Sequence, residues 1–195
     1  MTAATALLIV DVQNDFIEGG ALGCEGGAEV AERITEHLRR SNYDVIAASR
    51  DWHDAEGDNG GHFALDGVPD YVTTWPVHCV AGSEGAEYCA ALETESIGIH
   101  VRKGMGEPSY SAFEGEAEDG RTLGEALADA GVVHIDIVGI ATDHCVRASA
   151  IDALAEGFSV RVIDDLTAAV SEEGRSRSLA EMAAAGAVVV GTIGD

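Results

Sequence analysis

Short apolar runs alternate with stretches of helical period along this chain, and that alternation restricts the fold more than any other feature. Residues 6–11, 43–50, 98–103, 132–140, 158–164 and 187–193 read as strands. Between them, residues 29–40 place Val30, Ile34 and Leu38 on one face of a helix. A second helix spans 122–130 and stops at Gly131, a third carries Cys145 and stops at Gly157, and Ser171 caps a fourth that closes at Gly186. Strands alternating with helices predict an α/β fold: a doubly wound, six-stranded, mostly parallel sheet with helices on both faces, Rossmann-like in its order of elements. A length of 195 residues, 46% of them hydrophobic, suits a single domain over residues 1–195 with one sizeable core.

In such sheets, sites lie at the carboxyl ends of the strands. Asp11, Asp51 and Lys103 end the first three strands, and Cys145 follows the fourth. Four chemically useful side chains, far apart in sequence, therefore share one edge of the sheet. A cysteine in the first turn of a helix meets unpaired N–H groups and the positive end of the helix dipole. Its thiol is expected to ionise more easily there, and the same N–H groups suit an oxyanion. The segment from Trp52 to Ile97 is rich in Gly, His and Trp and lacks a clear period, and a loop of that length inside one domain is usually functional.

Eleven basic and 35 acidic residues give a formal charge of −24, which repels nucleic acid and anionic membranes. The apolar start at residues 6–10 is too short for a membrane span, is interrupted by Asp11, and has no basic segment before it. The expected compartment is the cytosol. Cys24, Cys79, Cys89 and Cys145 form no C-x-x-C pair, so free thiols are expected, with the first three packing as small hydrophobes. The glycines between Gly19 and Gly27 match neither phosphate-loop pattern; they read as a flexible loop and helix start, and no nucleotide cofactor is expected.

Several short segments carry a family resemblance. They are Asp11-Val12-Gln13-Asn14-Asp15-Phe16, Arg50-Asp51-Trp52-His53, Gly61-His62-Phe63 and Trp75-Pro76-Val77-His78-Cys79, followed by Lys103-Gly104, Tyr110-Ser111-Ala112-Phe113-Glu114-Gly115 and Gly139-Ile140-Ala141-Thr142-Asp143-His144-Cys145-Val146. In this order, over essentially the whole chain, they resemble the nicotinamidase/pyrazinamidase branch of the isochorismatase-like cysteine hydrolases. The resemblance implies a catalytic triad of Asp11, Lys103 and Cys145 working through a thioester. Chemistry supports those residue types. A thiol attacking an amide needs one group to take its proton and return it to the departing ammonia, and a nearby ammonium steadies the charges. A cis peptide at Ile140–Ala141 is implied as well, aiming the Ala141 N–H, with that of Cys145, into an oxyanion hole.

The same resemblance assigns Asp51, His53, His62 and His78 to one divalent transition metal ion, within a metal-binding loop region of about residues 51–97. Residues two apart on an extended segment share a face, so Asp51 and His53 can reach one ion. One carboxylate with imidazoles suits Zn²⁺ first, with Fe²⁺ or Mn²⁺ as alternatives. Phe16, Trp75 and Tyr110 would line the pocket of a flat heteroaromatic ring. The implied activity is hydrolysis of nicotinamide to nicotinate and ammonia, with pyrazinamide as a second substrate. The alternative is another hydrolase of this fold acting on a different small amide or ureide. The partner is thus a small aromatic carboxamide, and homo-oligomerisation stays open. His37, His100, His134 and His144 lack ligand spacing and read as solvated or hydrogen-bonded side chains.

Overall fold

One sheet runs through the computed structural model, which describes residues 3–191. Its strands are β1 (Ala4–Val10), β2 (Val45–Asp51), β3 (Ile99–Lys103), β4 (Glu116–Ala117), β5 (Val132–Ile140), β6 (Ser159–Ala168) and β7 (Val188–Val190). Their order is β4-β3-β2-β1-β5-β6-β7, and every pairing is parallel except the short antiparallel contact of β4 with β3. Four helices cover it: α1 (Gly27–Arg40), α2 (Leu123–Asp129), α3 (Arg147–Ala155) and α4 (Glu172–Ala185).

Alternation along β1 shows how the layers form. Ala6, Leu8 and Val10 face Leu123 and Leu127 of α2, Ala150 of α3 and Met182 of α4, while Leu7 and Ile9 face Val30, Ala31 and Ile34 of α1. Both faces are covered, which is why the central strands are apolar almost throughout. The helix ends follow local chemistry. Thr122 and Glu125 form a reciprocal capping box on α2, and the Ser171 hydroxyl accepts from Gly174 N–H to start α4. Gly186 ends α4 in the left-handed region. Among the described residues, no helix is long and apolar enough to cross a membrane.

The sheet has seven strands where the sequence pattern predicts six. The addition, β4, is a two-residue edge strand, too short to show a period of two. β2 starts at Val45 rather than at residue 43, and just before it the Thr5 N–H of β1 is taken by the Asp44 carboxylate rather than by a backbone carbonyl. β7 covers 188–190 of the last predicted strand, whose residues 192 and 193 lie outside the described residues. Within the glycine loop before α1 the packing is uneven: a Cβ at Gly20 would lie 2.3 Å from the Asn14 carbonyl oxygen, whereas one at Gly19 or Gly26 would meet nothing within 4 Å.

Connections from β1 lead outward through β2 and β3 on one side, and the chain later returns to add β5, β6 and β7 on the other. The resulting switch point puts a crevice at the carboxyl ends of β1 and β5. These two strands approach closely there. Gly139 has φ 119°, and a Cβ on it would sit 2.1 Å from the Val10 carbonyl oxygen, so only glycine fits. The segment 52–97 crosses the same crevice on a few backbone bonds. His53 N–H donates to Cys79 O at 3.0 Å and Ala81 N–H to His53 O at 2.9 Å, while Trp75 N–H donates to His62 O at 2.9 Å. These bonds carry His62 and His78 from the loop to the strand ends.

Candidate active site

Asp51 and Lys103 are register partners at the ends of β2 and β3, so their side chains emerge together. Asp11 follows β1 in the left-handed region, with φ 47°, and its N–H donates to Ser49 O. Lys103 is only 1% exposed. Its Nζ lies 2.9 Å from Asp11 Oδ2 and 3.7 Å from Cys145 Sγ, and it makes a short bond to Asp51 Oδ1. The Ser49 hydroxyl donates to Asp11 Oδ1 at 2.7 Å. The structure thus brings Asp11, Lys103, Cys145 and Asp51 into one buried cluster.

Two carboxylates share one ammonium here, and their environments separate them. Burial pushes the Asp11 carboxyl above its ordinary value, with Lys103 opposing and Asp51 adding to the rise. Burial acts on Asp51 in the same sense but is outweighed by the Lys103 ammonium beside it, and the carboxyl is held well below the usual range. For Lys103, burial is overcome by Asp11 and Asp51, so the ammonium stays charged. Burial also pushes the Cys145 thiol well up; Lys103 opposes this, but Asp11 and Asp51 reinforce it. The sequence-based expectation of a readily ionised thiol is corrected on this point. Desolvation and two nearby carboxylates act against the thiolate, and the resting group is a thiol.

The backbone around Cys145 also departs from the expected first turn of an α-helix. Residues Thr142–Val146 form a π-helical turn, and α3 begins only at Arg147. The Ile140–Ala141 peptide is cis. Ala141 O accepts from His144 N–H at 3.0 Å and from Val146 N–H at 3.1 Å. An α-helix would spend the Cys145 N–H on that carbonyl; the wider turn passes it over.

His53, His62 and His78 gather beside this cluster, with ring centroids 4.8, 4.9 and 5.2 Å apart. The His53 Nδ1 lies 2.8 Å from Gly104 O, and the His78 Nδ1 lies 2.7 Å from Pro76 O. A carbonyl only accepts, so both rings carry their proton on Nδ1 and present an Nε2 lone pair. Those two Nε2 atoms face Asp51 Oδ2 at 3.6 and 3.7 Å. His53 Nε2 and His62 Nδ1 are buried without a hydrogen-bond partner. Burial pushes His62 down to about 3, so it too offers a lone pair. Lone pairs converging on a carboxylate oxygen fit a divalent cation, and carbonyl-anchored imidazoles are the usual way such ligands are oriented. Gly104 is required here: its φ is 77°, and a Cβ would lie 2.5 Å from His53 Cε1.

A cavity of about 370 Å³ opens onto both clusters, lined by Asp51, His62, His78, Ala141 and Cys145. Phe16, Trp75 and Tyr110 form aromatic walls, with Trp75 Nε1 donating to Tyr110 Oη at 2.9 Å. Sequence reasoning missed four contributors. Read there as solvated or hydrogen-bonded, His144 is a wall residue, edge-on to Trp75 at 5.1 Å and stacked with Tyr110 at 6.5 Å. Ser49 holds Asp11, and Gln13 holds Asp51. Cys24 joins the cavity wall, its thiol pushed up to about 12 by burial.

The chain belongs to the isochorismatase family: a model of the isochorismatase domain matches residues 5–193. Among curated proteins it is 45% identical to the nicotinamidase/pyrazinamidase of Mycobacterium tuberculosis, over 95% of this chain and 97% of the relative. Among solved structures it is similar to PnC1 from L. infantum in complex with nicotinate. That match has a TM-score of 0.84 and 35% identity, covering 98% of this chain and 94% of that one. The pyrazinamidase of Pyrococcus horikoshii in complex with zinc superposes with a TM-score of 0.81 at 34% identity, covering 97% and 99% of the two chains.

Proposed function

We propose that this chain is a metal-dependent cysteine amidohydrolase converting nicotinamide and water to nicotinate and ammonia, with pyrazinamide as a further substrate. The observation that carries the reading is the adjacency of two clusters on one pocket. Asp51 turns one oxygen to Lys103, beside Cys145, and the other to His53 and His78. A small aromatic carboxamide can meet both at once. The names and ligands of the similar proteins support the same substrate class, and the zinc complex of one of them favours Zn²⁺ here.

Each side chain then has a task. Cys145 gives its proton to Asp11, whose raised affinity for protons suits a general base acting near neutral pH. The sulfur bonds to the carboxamide carbon, and the oxygen takes up negative charge facing the Ala141 and Cys145 N–H groups. Asp11 returns the proton to the nitrogen as the C–N bond breaks, releasing ammonia and leaving a thioester on Cys145. It next takes a proton from water, whose oxygen displaces the sulfur; Asp11 passes that proton to the sulfur, restoring the thiol, and the acid product loses its own proton to the released ammonia and leaves as the carboxylate. Lys103 stays protonated throughout and offsets the charge that alternates between Asp11 and Cys145. Asp51, His53, His62 and His78 would hold the metal, which when bound supplies a Lewis-acid anchor for the ring nitrogen. Phe16, Trp75 and Tyr110 flank the ring and orient it.

Chromatography of products from metal-replete protein and nicotinamide tests this reading. Nicotinate and ammonia should appear in equal amounts. Inert nicotinamide beside turnover of a different amide or ureide would move the assignment to the alternative hydrolase.

A further inference from the structure

Three alternate residues after β1 each reach a different part of the site. Asp11 pairs with Lys103. Two positions on, Gln13 is fully buried, and its amide closes on the backbone of Asp51 in both directions. Oε1 accepts from Asp51 N–H at 2.8 Å, and Nε2 donates to Asp51 O at 2.9 Å and to Ala86 O at 2.9 Å. Gln13 N–H also donates to Asp11 O at 2.8 Å, so the span between the two carboxylate-bearing residues is short and closed. Two positions further, Asp15 Oδ2 accepts at 2.7 Å from the N–H of Cys79, the residue after His78. A Cβ at Gly85 would lie 2.2 Å from that carboxylate, so the packing leaves Asp15 no slack. The Phe16 ring rests on His78 with centroids 5.6 Å apart.

We infer that Gln13 and Asp15 are positioning residues through which the end of β1 fixes the metal ligands Asp51 and His78 relative to Asp11. The geometry explains why rigidity matters. Asp51 serves Lys103 with one oxygen and the imidazoles with the other, so a shift of its Cα disturbs both clusters together. Gln13 removes that freedom by holding the Asp51 N–H and C=O at once. Asp15 restrains the turn that delivers His78 through the Cys79 N–H alone, at a residue that takes φ 45°. Metal affinity depends on such partners as well as on the ligands.

The inference rests on the metal reading above, and one titration separates the two. Zn²⁺ is titrated into the chelator-stripped full chain in competition with a chromogenic chelator, with circular dichroism recorded on each variant. Gln13→Glu keeps the acceptor for Asp51 N–H and loses the donor; Asp15→Asn keeps its size and loses the charge. Both should weaken Zn²⁺ binding by roughly 10–100-fold while remaining folded. Asn14→Ala, which removes only an exposed bond to Glu84 O, should bind as wild type does. Wild-type affinity in folded Gln13→Glu overturns the inference, as does the same result in Asp15→Asn should Gln13→Glu not fold. Equal weakening in Asn14→Ala overturns it too, because the effect would then be general loosening of the segment. If the wild-type chain binds no Zn²⁺, the metal reading itself fails and this inference falls with it.

Discussion

In the proposed reaction, the cluster of Asp11, Lys103 and Cys145 works as a proton exchange held in place by one fixed cation. Burial raises Asp11, and Asp51 adds to the rise although Lys103 opposes it. A base with a raised pKa is active once deprotonated, so kcat/KM should climb with pH through the folded pKa of Asp11. That half-point should lie above the usual carboxylate value of about 4, and a pH–rate profile measures it. Asp11→Asn should lower kcat by about 10²–10⁴-fold at neutral pH. A half-point at the ordinary carboxylate value would show that Asp11 is not the group controlling the rate. His53→Ala removes a buried, carbonyl-oriented imidazole, and metal affinity should fall by more than roughly 100-fold, as read by metal analysis after dialysis. Unchanged metal content would remove His53 from the ligand set.

At the scale of elements, the legible parts are those where one physical signal dominates. β5 is predicted at its observed bounds, 132–140, because its β-branched run is apolar almost throughout and buried on both faces from Ile135 onward. The Ser171 cap and the Gly186 stop of α4 were readable because each residue has a local backbone task. The π-helical turn at Thr142–Val146 was not, because its sequence is compatible with an ordinary helix start and its shape depends on long-range packing. Thr142 Oγ1 donates to Thr167 Oγ1 at 2.8 Å, and Asp143 accepts from Val170 N–H at 3.0 Å. The loop from 52 to 97 was legible as a functional loop, and its paired histidines by resemblance, but its path follows bonds between residues far apart in sequence. Gly139 shows how strict the strand ends are. Gly139→Ala should destabilise the fold by about 3 kcal/mol or more in urea unfolding, since φ 119° and the Val10 carbonyl both oppose a side chain. Wild-type stability in that variant would mean that β1 and β5 can separate at no cost.

Across the whole molecule, 35 acidic against 11 basic residues leave a charge of −24, and self-repulsion works against the compact state. Salt screens that repulsion, so Tm should rise from low to molar salt, by roughly 2–4 °C for each kcal/mol gained. A flat Tm would show that the acidic groups are too dispersed to matter. The buried site is shielded differently, because Lys103 offsets one of the two charges of Asp11 and Asp51 inside the fold while most of the excess acid lies elsewhere. Sheet topology gathers Asp11, Asp51, Lys103 and Cys145 at one switch point, and the loop adds three imidazoles to the same crevice. The joint dependence of catalysis on thiol and metal is tested most directly by ammonia release from nicotinamide, measured side by side on metal-replete protein, chelated protein and replete Cys145→Ala. Release from the replete chain alone, restored to the chelated sample by adding metal back, is the predicted result. Undiminished release from either of the other two samples would contradict it.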